Sequence, residues 1–343
     1  MKLRKVCLSM FVGYVLLLVS ACSSDSGGET GTGATDKTVT GPITGFGSIY
    51  VNGIKFNTDN ANIVFDDAQT TEDDLAVGMI VTVNGTVNRD QVSGAAIEIV
   101  AETQVKGLVF SNTISQSGIG KLVVMGRTVM VTADTEFRSK VPGISLTDIG
   151  TQTVVQVSGY SDNVGNIHAT FLKVTGNDGN TGEIKVKGII AELSLSSRQF
   201  KIDQFTVSFD DDTEFSEVEK EDLRNGMFVK VKSERYNAMD SNPHLLAAKI
   251  ELEGHDDEDG DEVKKTGLVT NVDNMGDGVN GEFELSGQLV RVDANTSYEK
   301  GGKSNIVLGA ILEVEGEVAA GGVIIAEEIE FEKERDDRDS DED

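Results

Sequence analysis

Carboxylates are the most plentiful chemistry in this chain, and two groups of them are spaced to act together. Asp210, Asp211 and Asp212 follow an apolar run ending at Phe209, and Asp66 and Asp67 follow Phe65 in the same way. Oxygen ligands gathered at a turn are what a hard cation such as calcium needs, so these are the candidate calcium ligands. Consecutive aspartates also cap and kink turns without any ion. The acidic run at 255–262 adds nothing to the calcium case. With Gly260 set at the obligatory glycine of a calcium-binding loop, His255 falls in the first ligand place and Thr266 in the last.

Other chemistries find little to work with. His168, His244 and His255 stand far apart, and no Gly-x-Ser-x-Gly elbow is present. Gly301-Gly302-Lys303-Ser304 has the end of a phosphate loop, but Ser297 stands where its first glycine belongs. A carboxylate pair for glycoside hydrolysis is defined in space rather than by spacing. With no tryptophan and 5 tyrosines, the chain has few platforms for a sugar-cleaving groove. No residue is therefore assigned a catalytic or cofactor-binding role.

Charge narrows the partners. The 58 acidic side chains against 30 Lys and Arg give a net charge of −28. Phosphate binding needs a basic surface that displaces counterions, so nucleic acid is excluded as a partner. Anionic lipid surfaces are disfavoured for the same reason. The run at 255–262 and the C-terminal segment 334–343 read as solvated, the latter as an acidic disordered tail.

The elements that must position any site come in four copies. Each opens with a glycine in an alternating strand: Gly45, Gly107, Gly188 and Gly267. Each then turns between two strands at Asn52-Gly53, Met125-Gly126, Asp203-Gln204 and Ser286-Gly287, and three of these turns have the glycine that a tight hairpin prefers. In the last three copies a threonine and then an aromatic residue follow at constant spacing: Thr135 and Phe137, Thr213 and Phe215, Thr296 and Tyr298. The first copy departs here, which predicts a shorter or offset second strand.

A loop ending at Gly78, Gly150, Gly226 or Gly309 leads into another alternating strand. A last strand carries Ala96, Ala169, Ala248 or Ala326. Period-two alternation means strands with one buried face. So small a sheet buries that face by curling on itself, giving an all-β tandem array of small antiparallel, OB-like barrels. The units are 39–103, 104–177, 183–254 and 263–333, with linkers at 176–182 and 255–262 and a tight join near Thr103. Helical turns are expected only at 71–75 and 217–223. Repeat arrays present long surfaces, so an elongated module is expected.

Residues 1–21 combine Lys2, Arg4 and Lys5 with an apolar run at 6–19, the outline of a secretory signal. The run is shorter than the roughly 20 residues that span a bilayer. Leu18-Val19-Ser20-Ala21-Cys22 resembles the bacterial lipobox. That resemblance implies lipidation of Cys22, a new N-terminus there, and a membrane anchor; Ser23 after it points to the outer membrane. Cys7 leaves with the signal, so the mature chain has no thiol for a disulfide or a zinc site. Residues 22–38, rich in Gly, Ser and Thr, read as a flexible tether.

Asp74-Leu75-Ala76-Val77-Gly78-Met79 and Asp222-Leu223-Arg224-Asn225-Gly226-Met227, each followed by alternating valines, carry a further likeness. With the lipobox and the tether, they resemble bacterial secreted lipoproteins bearing tandem copies of a small β domain of unknown function. The second and fourth copies depart from this loop pattern, so a differently built loop is expected there. The resemblance brings no activity. The expected function is a non-catalytic envelope lipoprotein whose β units contact protein or envelope polysaccharide. A small-ligand or calcium-binding barrel module stands second, and a carboxylate-based hydrolase third.

Overall fold

Alternation becomes strand throughout the computed structural model, which describes residues 34–162, 165–179, 182–203, 205–237, 244–253, 262–276, 278–286, 288–319 and 323–331. Cys22 and the signal, most of the tether, the acidic linker with His255, and the acidic tail lie outside the described residues. Ile80–Val87 shows the rule: Val81, Val83, Gly85 and Val87 are buried while Thr82, Asn84 and Thr86 are not.

Each copy closes into a barrel by one route. In the first, Thr35–Gly45 pairs antiparallel with Ile49–Val51, which turns into Ile54–Asn57. Ile54–Asn57 runs parallel to the final strand, Ser93–Ala101, whose partner Ile80–Val87 returns to the opening strand. The same ring is drawn by Val105–Asn112, Gly120–Val124, Arg127–Val131, Ile167–Gly176 and Val154–Ser161 in the second copy. It recurs in the fourth through Glu262–Asn274, Gly281–Leu285, Gln288–Val292, Val323–Phe331 and Ile311–Ala319. In the third, Ile184–Ser194, Gln199–Ile202 and Phe205–Ser208 meet a final strand broken into His244–Leu246 and Lys249–Leu252. Phe228–Ser233 completes that ring.

The all-β array of OB-like barrels is thus present, but its units are not wholly antiparallel. A ring with an odd number of strands cannot alternate direction all the way round, so one parallel pair is required. The hairpin's second strand and the final strand supply it.

Several features of the repeat acquire physical reasons, and some positions shift. The nitrogen of Ile43 bonds to Met79 O, as those of Val109, Ile190 and Val269 bond to Thr153, Met227 and Ala310. Gly41, two residues before Ile43, therefore matches Gly107, Gly188 and Gly267, and Gly45 does not. A Cβ on Gly41 would stand 2.2 Å from Asn52 Oδ1, and one on Gly107 2.3 Å from Met125 Cγ. Both clashes are with the unit's own hairpin turn. The glycine lets that turn cross the opening strand.

The spaced threonine is a clip. Thr135, Thr213 and Thr296 donate to the carbonyls of Ala169, Ala247 and Ala326 at 2.7, 2.8 and 2.8 Å, and each hydroxyl accepts a backbone N–H three residues earlier. In the third copy the alanine so held is Ala247, one place before the expected Ala248. The first copy has Ala61 in the threonine's place, one residue nearer its hairpin turn, with Ala61 N donating to Thr58 O.

Each copy also has a short 3-10 turn before the penultimate strand: Glu72–Asp74, Leu146–Asp148, Lys220–Asp222 and Lys303–Asn305. The fourth copy keeps the common loop, whereas the second departs from it in lacking the positive-φ glycine that Gly78, Gly226 and Gly309 supply. Leu75, Ile149, Leu223 and Ile306 follow the turn and plug the barrel end in all four. Gly150 lies early, and the place of Gly78 is taken in the second copy by Gln152. At the N-terminal side the strand begins at Thr35, so 35–38 belong to the first barrel rather than the tether.

The barrels meet one another through ladders and side-chain contacts. First and fourth join by a parallel ladder, Thr38 to Lys265 and Val39 to Thr266. Second and third join antiparallel, Val105 to Val186, over one continuous apolar core with Phe110, Phe205 and Tyr236 in ring contact. The first rests on the second where Ser158 Oγ accepts from Ile80 N and Phe171 enters its core. Sequence neighbours are thus not the only neighbours in space.

Candidate functional site

Asp66 and Asp67 sit at the tip of the hairpin joining Asn62–Phe65 to Ala68–Thr70, with φ of 53° and 67°. Both central places of such a mirror-image turn need positive φ, which aspartate tolerates. Their carboxylates point at the third barrel. Asp66 pairs with Lys185 at 2.7 Å and accepts from Thr103 N and Oγ1 at 2.8 and 2.7 Å. Asp67 meets Lys232, and Lys230 at 3.1 Å. Lys187 bridges Glu102 and Glu253, both at 2.5 Å, and Lys230 adds Glu251 and Glu253. Ammonium groups thus occupy the positions around these oxygens that a cation would take.

The electrostatics of this cluster follow from its burial. Burial by itself would raise Asp67, but Lys232 and Lys230 overcome it and hold the carboxyl far below its ordinary value. Glu102 is lowered against the same burial by Lys187 and Lys230. Lys230 is raised well above the ordinary lysine value because Glu253, Glu102 and Asp67 outweigh desolvation. Lys185, wholly buried, is instead lowered, since desolvation exceeds the pull of Asp66. The arrangement seats the first barrel on the third.

Asp210, Asp211 and Asp212 have a local role. Asp210 Oδ1 accepts from Asp212 N at 3.0 Å, closing a turn that Asp293 and Asn295 repeat in the fourth barrel. Asp211 pairs with Arg198 at 2.8 Å on the surface. These three are not brought to Asp66 and Asp67 by any contact described above. Among the described residues no group of three or more His, Cys, Asp or Glu is arranged to hold a metal. The exposed His168 side chain places Nε2 3.1 Å from Asp162 Oδ2.

A concave site lies elsewhere, on the rim of the second barrel. A groove of about 630 Å³ runs between Ser115, Gln116 and Gly118 on one side and Ile144, Ser145, Leu146 and Thr147 on the other, with Phe137 between. Its first wall is the connection 113–119, where the other barrels have 46–48, 195–198 and 275–280. Its second wall is 140–145, against 217–219 and 300–302 in the third and fourth barrels. The first barrel has the longer second wall but not the first. Both are long only in the second copy.

Asn112 Nδ2 pins the walls together by donating to Leu146 O and Ile149 O at 2.9 and 3.0 Å. Of these residues only the aromatic at Phe137 stood out in the repeat pattern. The coincidence of two long connections in one copy was the signal that marks the rest.

The family model described as Domain of unknown function (DUF5666) matches residues 38–100, 106–173, 187–251 and 266–330. No curated protein matches the chain.

Proposed function

The chain belongs to the DUF5666 family, in four tandem copies, and from that premise we propose a non-catalytic lipoprotein of the bacterial envelope. Cys22 carries the lipid and anchors the chain at the outer membrane; the barrels contact an envelope protein or polysaccharide through their loops.

The observation that carries this proposal is how the copies divide their residues. What recurs serves packing: the glycine under each hairpin turn, the threonine clip and the apolar plug. What differs lies in surface connections, where binding residues concentrate on a rigid scaffold. The groove in the second barrel is one such difference. It favours binding at a barrel rim over binding of calcium at the Asp66-Asp67 turn.

The test is metabolic labelling with a palmitate analogue, followed by membrane fractionation and cross-linking of intact cells. Label on the wild type, none on Cys22→Ser, and outer-membrane recovery with a reproducible captured partner are expected. An unlabelled wild type would overturn the anchor. A hydrolytic activity abolished by one carboxylate substitution would overturn the non-catalytic role.

A further inference from the structure

We propose that the groove on the rim of the second barrel binds an uncharged segment of a glycan. The inference rests on the contact role proposed above and names the ligand class.

The walls are additions that the fold does without. The third and fourth barrels close with short connections at 217–219 and 300–302, and the first needs only 46–48 where the second has 113–119. Long connections in a compact domain are uncommon without a role in binding. Here both flank one groove.

The chemistry of the lining excludes charged ligands. None of the groove residues is ionisable, in a chain where 26% of residues are charged. An anionic ligand would meet no basic side chain in the lining and the repulsion of a net charge of −28. A cationic one would find no carboxylate in the lining, and the adjacent Asp148 is already engaged by Ser145 N and Oγ.

Among uncharged ligands the rim decides. The Ser115 and Ser117 hydroxyls lie 2.7 Å apart on one wall, and the Ser145 and Thr147 hydroxyls 3.0 Å apart on the other. Ser115 Oγ also donates to Ile119 O and Ser145 Oγ to Asp148, which leaves lone pairs on these oxygens to accept from the hydroxyls of a sugar. Gln116 adds an exposed amide. Half-buried Phe137, Ile144 and Leu146 give an apolar floor for the C–H face of a ring. A wholly apolar ligand would cover the exposed Gln116 amide without replacing its water. An extended peptide needs free backbone groups, but Ser115 N and Gly118 N already bond within their own loop.

The test is titration calorimetry of the full chain in lauryldimethylamine oxide, a detergent without sugar. The probes are maltohexaose, cellohexaose and chitohexaose, with an alginate hexamer, a chitosan hexamer and a Gly-Ser hexapeptide as controls. Binding of at least one neutral saccharide is expected, with Kd at least tenfold weaker in Gln116→Ala and in Phe137→Leu, which keeps the core filled. Phe215→Leu, the same place in the third barrel, leaves Kd unchanged. Melting curves verify that each variant is folded. No binding by any neutral saccharide, equal binding by the controls, or Kd unmoved in both groove variants would overturn the proposal. Label on Cys22 together with such a failure would leave the envelope role standing and remove only the glycan.

Discussion

The ammonium group of Lys185 lies 2.7 Å from Asp66 Oδ1, tying the opening strand of the third barrel to a turn of the first. The lysine is wholly buried. Removing one partner of a buried pair leaves the other charge uncompensated, which costs about 3–5 kcal/mol. Asp66→Asn, which keeps a residue tolerant of positive φ, is expected to lower the urea midpoint by a loss near that range. Asp66→Asn combined with Lys185→Met is expected to recover most of it, because neither member of the pair is then left as an unpaired buried charge.

Acid should loosen the assembly at the same joint. Asp67 and Glu102 are held below their ordinary values by lysines of the third barrel, and Glu313 by Lys37 and Lys264 between the first and fourth. A folded-state pKa below the unfolded one gives stability that is present above the unfolded value and lost as pH falls through the folded one. The melting temperature is therefore expected to hold between neutral pH and about pH 5, then to fall as pH drops below the ordinary carboxylate values of about 4. Scanning calorimetry across pH 2–8 measures this. A flat profile down to pH 3 would contradict it.

The threonine clip predicts a matched set of losses. Thr213→Val removes the hydroxyl that donates to Ala247 O at 2.8 Å and accepts from Asp210 N at 3.0 Å, while keeping the side chain's volume. Leaving these partners unsatisfied costs about 1–3 kcal/mol. Thr135→Val and Thr296→Val should fall in the same range, and Thr213→Ser near zero. Urea unfolding of the three variants reads the comparison.

Two glycines should behave oppositely. A Cβ on Gly316 would lie 2.1 Å from Ile325 O at the bulge of the fourth barrel, where backbone must move to admit it. Gly150 has ordinary backbone geometry and nothing within 4 Å of an added Cβ. Gly316→Ala is expected to destabilise by about 2 kcal/mol or more, and Gly150→Ala to stay within about 0.5 kcal/mol. Melting temperatures of the two variants separate them.

Much of the barrel was legible along the chain because its determinants are local. Alternation marks a buried face, and a tight turn between two strands limits what can stand there. The constant spacing of Thr135, Thr213 and Thr296 was visible, yet its purpose was not, since the carbonyl each holds lies about 30 residues away in sequence. The substitution of Gly45 for Gly41 has a similar origin. Both are glycines on one strand, and only the hydrogen bond of Ile43 to Met79 tells which of them lies under the turn.

Asp66 and Asp67 show where local reading stops. Adjacent aspartates at a turn have the same spacing whether they meet a cation or a lysine. Lys185, Lys230 and Lys232 are more than a hundred residues distant, on a barrel that sequence order does not make a neighbour.

Sequence alone therefore determined the unit: its alternation, its turns and its four copies, each set by residues near one another. Tertiary structure decided the closure of each ring through a parallel pair, the clustering of first barrel with third and fourth, and the groove beside Phe137. Those depend on which surfaces meet after each barrel has formed. Charge pairing and apolar contact between distant segments choose the meeting, and no periodicity along the chain records it.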